Sequence, residues 1–87
     1  MDKKWQVYIL RCKDNTLYTG ITDNLEKRLA AHNAGKGAKY TRGRGPTEVV
    51  YAELYDNKSQ ALRREFQIKH LSREAKLALC SSYIMED

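Results

Sequence analysis

The chain has 87 residues and a formal net charge of +5, with 31% charged and 41% hydrophobic residues. This length accommodates one small domain, and this composition is typical of a globular protein rather than a disordered chain. No apolar run approaches the roughly 20 residues that cross a membrane, and we predict no signal peptide or anchor, so we expect a cytoplasmic protein. Cys12 and Cys80 lack metal-ligand spacing. We expect both to be reduced and structural, with a disulfide between them as the alternative.

The first two predicted elements form a β-hairpin. Residues 5–11 alternate with the period of two that is typical of a strand, and residues 16–21 are a second β-rich run. Turn-forming residues 13–15 separate the two runs. Because a loop with an odd number of residues pairs even positions with even positions, we predict that Tyr8 and Tyr18 share one face of the sheet.

Capping residues delimit three predicted helices, and a third predicted strand, residues 48–55, lies between the first two of them. The signals are Asp23 with Glu26 and then Gly35 for the first helix, Asn57 with Gln60 for the second, and Ser72 for the third, which reaches about Ser81. The order β-β-α-β-α-α predicts an α+β fold in which helices cover a small, mainly antiparallel three-stranded sheet. We expect the domain to span residues 4–80, with residues 1–3 and 81–87 as short tails.

Two of the predicted helices carry charge on the stripe that usually faces the core. The stripes are Leu25, Arg28, Leu29 and His32 in the first, and Leu62, Glu65, Phe66 and Lys69 in the second. Charge on such a stripe is costly unless it is paired or opens onto a cleft. Taken singly, these residues are better explained as packing or surface pairs. Together with Tyr8 and Tyr18 they predict a site suited to phosphoryl-transfer chemistry.

A glycine-rich basic segment, residues 35–45, contains four basic residues and no acidic residue. Its cations are Lys36, Lys39, Arg42 and Arg44. Taken alone, the segment is better explained as a solvated, mobile connection. Beside a site for phosphate chemistry, we predict that it binds the phosphate backbone of a nucleic acid, because flexible cations neutralise phosphates and release counterions.

The order and spacing of these residues resemble the GIY-YIG nuclease superfamily over roughly residues 5–79. The matching residues are Tyr8 in Val7-Tyr8-Ile9, Tyr18 and Gly20 in Tyr18-Thr19-Gly20, Arg28 with His32 one turn later, and Glu65. The chain departs from the family pattern at Gln6-Val7, where the first motif has Gly-Ile, and at Thr19, where the second has Ile. Some members also carry an asparagine near the end of the domain, and none follows Asn57 here.

Two further features resemble particular groups within the superfamily. Residues 43–46, Gly-Arg-Gly-Pro, are similar to the corresponding segment of the branched-DNA structure-specific members. The short chain looks most like the small stand-alone bacterial subfamily. Other members of the superfamily often gain specificity from an attached DNA-binding domain, which implies weak, sequence-tolerant phosphate contacts here.

The resemblance implies metal-dependent hydrolysis of phosphodiester bonds, with Mg²⁺ or Mn²⁺ held by Glu65. It implies that Tyr8 takes a proton from water with help from neighbouring cations or from His32, that Tyr18 positions the water or the scissile phosphate, and that Arg28 offsets developing charge. Gly20 is then a structural residue of the second motif.

Lys69 is predicted either to bind a flanking phosphate or to neutralise Glu65. We expect a nucleic-acid partner, with DNA favoured, and no membrane or small-molecule cofactor. Two alternatives stay open: a nucleic-acid-binding module with weak or lost cleavage activity, and a small adaptor that binds another protein.

Overall fold

The computed structural model describes residues 4–37, 41 and 43–83. Its elements are β1 (Trp5–Arg11), β2 (Leu17–Thr22), α1 (Leu25–Asn33), β3 (Glu48–Tyr55), α2 (Lys58–Lys69) and α3 (Arg73–Ser81). The predicted element order and the α+β class are therefore confirmed, with β2 displaced by one residue from its predicted bounds. No helix in these ranges is long and apolar enough to span a membrane.

The sheet has the strand order β2-β1-β3, and both pairings are antiparallel. Because β1 lies between the other two strands and helices pack on both of its faces, its residues 7–10 are all buried. Tyr8 lies opposite Gly20, and Leu10 lies opposite Tyr18. The two tyrosines are therefore diagonal neighbours on one face, in agreement with the hairpin prediction.

The two faces of the sheet carry different groups of side chains. Val7 and Ile9 point to the face covered by α2 and α3, where they form the core with Tyr51, Ala61 and Ile68. Tyr8 points to the opposite face, where His32 of α1 contacts it. The side chains predicted to carry chemistry on β1 and β2 thus lie away from the main apolar core.

Helix α2 is rotated by one residue, about 100°, from the orientation that its predicted stripe requires. Leu62 and Phe66 are 45% and 64% exposed, whereas Ala61 and Ile68 are fully buried. The prediction that Leu62 and Phe66 face the core is therefore wrong. One cause is the small size of Ala61, which lets the helix lie close to the sheet; another is the ion pair described next.

Arg64 anchors the side of α2 that faces β3. Its guanidinium donates to the Glu53 carboxylate at 3.0 Å, and both side chains are largely covered. Tyr51 and Tyr55 also donate to that carboxylate. A charged pair at this interface is satisfied by several hydrogen bonds, which makes its burial tolerable and fixes the helix orientation.

The helix caps were predicted with one error. Asn24 rather than Asp23 caps α1, because its Oδ1 accepts from the backbone N–H of Lys27 at 3.1 Å. Gly35 follows the end of α1 with a φ of +75°, the left-handed conformation that glycine adopts at helix ends. The predicted caps of α2 and α3, Asn57 and Ser72, are confirmed.

Candidate active site

Three rings meet between α1 and the β1–β2 hairpin. The hydroxyl oxygen of Tyr8 lies 3.1 Å from Nε2 of His32, and each of the two residues is only 1% exposed. The ring centroid of Tyr18 lies 6.3 Å from that of Tyr8 and 5.2 Å from that of His32. The structure therefore brings together two predicted tyrosines from different strands and the predicted histidine.

Arg28 lies one turn before His32 on α1 and adds a cation to the same cluster. Its interaction with the Tyr8 hydroxyl is the main reason that the pKa of Arg28 is raised, and Tyr18 contributes in the same direction. The pKa of Tyr8 is also raised, because burial outweighs the opposing effect of Arg28. Tyr8 is consequently a neutral phenol beside a cation.

His32 is held as a neutral imidazole. Burial, and secondarily the charge of Arg28, lowers its pKa. Its Nδ1 lies 2.7 Å from the hydroxyl oxygen of Thr41, which is also 1% exposed. A neutral histidine has one nitrogen that accepts and one that donates, so it can receive a proton from a neighbour.

Glu65 approaches the cluster from α2. Its negative charge contributes to the raised pKa of Tyr8, so the two groups interact electrostatically. The Glu65 carboxylate forms an ion pair with Lys69, with 3.3 Å between Oε2 and Nζ, and the Glu65 side chain is 18% exposed. Glu65 and Lys69 therefore stay close to the site although the helix turns Leu62 and Phe66 outwards.

Glu65 is the candidate ligand for a divalent metal ion. The described part of the chain contains no group of three or more His, Cys, Asp or Glu residues that could hold a metal ion. A single carboxylate nevertheless suits Mg²⁺, which keeps several waters and is often bound by one or two carboxylates together with substrate phosphates. Glu65, a hard oxygen donor that retains some exposure beside Lys69, fits such an ion.

Gly20 has a direct steric reason to be glycine. A Cβ atom built there would lie 2.6 Å from the hydroxyl oxygen of Tyr8, 2.8 Å from its Cζ and 3.1 Å from Cε2 of Tyr18. The first two separations are shorter than real Cβ contacts. The missing side chain therefore creates the space in which the end of the Tyr8 ring reaches Arg28 and His32.

The predicted phosphate-binding segment is only partly described. Lys39 and Arg42 lie outside the described residues, and Lys36 is exposed just after α1. Arg44 forms an ion pair with Asp14 at the hairpin turn. Of the cations predicted to bind nucleic acid, Lys69 is therefore the one with a described contact to a site residue, Glu65.

Two neighbours of His32 were missed by the sequence analysis. Thr41 hydrogen bonds to its imidazole, and a Cβ atom on Gly37 would lie 2.3 Å from its Nδ1. Both come from the basic segment, which has no helical or strand period that would predict which side chains turn inwards. The only signal was their composition, small residues among cations, which does not specify a contact with α1.

Known proteins match this chain over most of its length. The family model described as the GIY-YIG catalytic domain matches residues 4–78. A UPF0213 protein of Clostridium perfringens is 63% identical over 76 residues, which cover 87% of this chain and 82% of that protein. A UPF0213 protein of Oceanobacillus iheyensis is 60% identical over 79 residues, covering 91% and 92%.

A solved structure is similar as well. The solution NMR structure of a UPF0213 protein from Bacillus halodurans is 49% identical, with a TM-score of 0.58. The match covers 90% of this chain and 83% of that one. The chain is thus similar in sequence and fold to small single-domain proteins whose names assign no activity.

Proposed function

This chain belongs to the GIY-YIG catalytic domain family, and on that basis we propose that it is a metal-dependent endonuclease. In this proposal residues 4–80 form the nuclease domain, and the substrate is a nucleic acid, with DNA favoured and little dependence on base sequence. The observation that carries the proposal is the position of the Tyr8 hydroxyl, which lies 3.1 Å from Nε2 of His32 and interacts with the guanidinium of Arg28.

Tyr8 and His32 together form the proposed base. Because the pKa of Tyr8 is raised by burial, a standing phenolate is disfavoured at neutral pH. In the proposed step no free phenolate has to form, because the Nε2 of neutral His32 accepts the phenol proton while the Tyr8 oxygen takes a proton from the attacking water. The water oxygen then bonds to phosphorus, and the bond from phosphorus to the leaving oxygen breaks.

Arg28 and Tyr18 have supporting roles in this proposal. The guanidinium of Arg28 already interacts with the Tyr8 hydroxyl, so it stabilises negative charge on that oxygen and on an adjacent phosphate. Tyr18, whose ring lies 5.2 Å from His32, positions the water or the scissile phosphate. Glu65 would hold Mg²⁺ or Mn²⁺, and a bound divalent ion supplies charge stabilisation at phosphate oxygens.

The proposed metal dependence is tested by replacing Glu65. Glu65→Ala should abolish Mg²⁺-dependent cleavage, measured on a panel of single-stranded, duplex and branched DNA and RNA, while the protein still folds. Glu74→Ala, at an exposed glutamate in the first turn of α3, is the matched control and should cleave normally. Cleavage that survives both a chelator and Glu65→Ala would contradict the proposal.

The proposed base is tested by removing one oxygen. Tyr8→Phe should slow cleavage strongly with little change in shape, because the ring stays and only the proton acceptor is lost. Tyr83→Phe is the control, since its ring packs against Tyr51 on the other side of the sheet. A Tyr8→Phe rate equal to that of the parent would leave packing as the only role of Tyr8.

Binding is tested separately from cleavage by a salt titration without metal. If the four cations of the basic segment each contact a phosphate, the logarithm of the affinity for duplex DNA should fall with the logarithm of salt concentration at a slope of about −3 to −4. Lys36→Ala should reduce that slope by about one, equally for all sequences. Binding without cleavage would favour the binding-module alternative, and no binding at low salt would favour the adaptor.

A further inference from the structure

An apolar ridge, defined by Leu62 and Phe66, runs along the exposed side of α2. The two residues are four positions apart, so their side chains are neighbours on one face of the helix, and they are 45% and 64% exposed. Single apolar residues are common on protein surfaces, whereas an exposed aromatic side chain beside a candidate site points to a ligand. The rotation of α2 leaves this aromatic ring in solvent, directly after the candidate metal ligand Glu65 in the chain.

The ridge borders the candidate active site. Lys69 follows Phe66 by three positions, which makes their side chains neighbours on the helix surface. Lys69 also lines a groove of about 370 Å³ together with Tyr18 of β2 and Lys76 of α3. The Phe66 ring is therefore one helical turn from a basic groove that contains a tyrosine of the candidate site.

The ring of Phe66 is supported on one side by His70. The centroids of the two rings are 4.2 Å apart, and their planes are inclined by 35°. Nδ1 of His70 donates a hydrogen bond to the backbone carbonyl oxygen of Phe66 at 2.7 Å, because a carbonyl oxygen can only accept. This bond fixes the imidazole beside the phenyl ring. A ring held in this way loses less rotamer freedom when a planar ligand stacks on it.

The surroundings of the ridge are basic. Helix α2 contains one acidic residue and four cations, which are Lys58, Arg63, Arg64 and Lys69. Arg63 and Lys69 lie three positions before and after Phe66, so a polyanion that reaches the ring meets positive charge on both sides. Proteins that bind single nucleic-acid strands combine these two features, since cations contact the phosphates and aromatic rings stack on the bases.

We propose that the ridge binds an unpaired base of the nucleic acid, with the base stacked on Phe66 and flanked by Leu62. Lys69 contacts a phosphate of the same strand in this arrangement. In a duplex the bases are stacked on one another, so a base reaches the ring only after unstacking. As a statement about cleavage this rests on the proposed function, whose substrate it narrows to nucleic acids with an unpaired nucleotide next to the scissile bond.

A second copy of the chain fits the ridge less well. A symmetric dimer through α2 would bring the same cations of both copies together, which opposes association. Stable interfaces bury about 1,200–2,000 Å² in total, and two apolar side chains supply a small part of that area. A nucleic-acid strand offers negative charge and a planar apolar surface together.

Binding without metal tests the stack. Phe66→Ala should weaken binding of a short single-stranded oligonucleotide by about five- to 150-fold, the range for removing one base-stacking ring, and leave binding of a blunt duplex unchanged. The salt slope should stay that of the parent, because stacking releases no counterions. Leu54→Ala is the matched control and should bind like the parent, since Leu54 is 62% exposed on β3, at the opposite edge of the sheet from β2.

Phe66→Trp gives a direct readout of contact with the base. The indole should retain binding, and its fluorescence should be quenched by the single strand and not by the duplex. The parent has Trp5 as its one tryptophan and supplies the background signal. Equal quenching by the two nucleic acids, or quenching by neither, would overturn the proposal.

The remaining outcomes separate this proposal from the proposed function. If Phe66→Ala binds the single strand like the parent, the proposal is overturned, while metal-dependent cleavage would still support the nuclease. If the stack is observed and no substrate is cleaved, the proposed function fails and base binding stands. Self-association that sedimentation detects in the parent and not in Phe66→Ala would assign the ridge to a second copy and overturn the proposal.

Discussion

Replacing Gly20 with alanine tests whether the close approach of β2 to Tyr8 maintains the candidate site. The added methyl would lie 2.6 Å from the Tyr8 hydroxyl oxygen and 2.8 Å from Cζ of the same ring. The ring is rigid and buried, and its hydroxyl lies 3.1 Å from Nε2 of His32. The clash must therefore be relieved by moving the strand or by displacing the hydroxyl from this contact.

The expected cost is that of overpacking a buried site, about 1–3 kcal/mol. For a domain of this size each kcal/mol corresponds to about 4–8 °C in Tm, so we expect Gly20→Ala to melt about 4–24 °C lower. Cleavage should fall as well, because the displaced Tyr8 oxygen no longer lies within hydrogen-bond distance of Nε2. Thermal melting by circular dichroism and single-turnover cleavage measure the two effects.

A control and a double variant separate this clash from a general effect of alanine. Gly35→Ala meets no atom within 4 Å but has a φ of +75°, so it should lose about 1–2 kcal/mol and still cleave normally. Tyr8→Phe removes the oxygen of the shortest contact, so its stability loss should be smaller in the Gly20→Ala background by about 0.5–3 kcal/mol. Additive losses in the double variant would refute the steric explanation.

Two further predictions concern stability. Folding lowers the pKa of His32, so this residue contributes to the free energy of unfolding at pH values above its pKa in the unfolded chain, about 6.5. The contribution is lost as the pH falls from there through the pKa of the folded protein. Urea titrations should show this loss in the parent and not in His32→Gln. Ile68→Ala should cost about 2–5 kcal/mol, as for other buried residues, whereas Phe66→Ala, at a 64% exposed side chain, should stay within about 0.5 kcal/mol. Similar losses for these two variants would contradict the observed rotation of α2.

Local signals in the sequence predict much of this fold and part of the candidate site. The period of two in β1 and the odd loop place Tyr8 and Tyr18 on one face, and helical spacing places Arg28 and His32 one turn apart. The rotation of α2 was not predictable in this way, because it depends on the size of Ala61 and on a pairing of Arg64 across two elements. Spacing within one helix cannot contain that information.

The basic segment shows a second limit of sequence reasoning. Its cations suggested contact with phosphate, but its described inward-facing residues are Gly37 and Thr41, which pack around His32. Irregular backbone has no period from which to infer which residues turn inwards. The contact becomes apparent only when α1 and the segment are seen together.

The same hydrogen bonds make the charged stripe of α1 tolerable and suit it to the proposed proton transfer. A buried histidine is stable when it is neutral and both nitrogens are satisfied, and here Tyr8 and Thr41 satisfy them. No buried side-chain nitrogen or oxygen in the described part of the chain lacks a hydrogen-bond partner. A neutral His32 beside a neutral phenol is also the state from which a proton can move from Tyr8 to Nε2. Stability and the proposed chemistry therefore require the same protonation states, so a fall in pH that protonates His32 should weaken both.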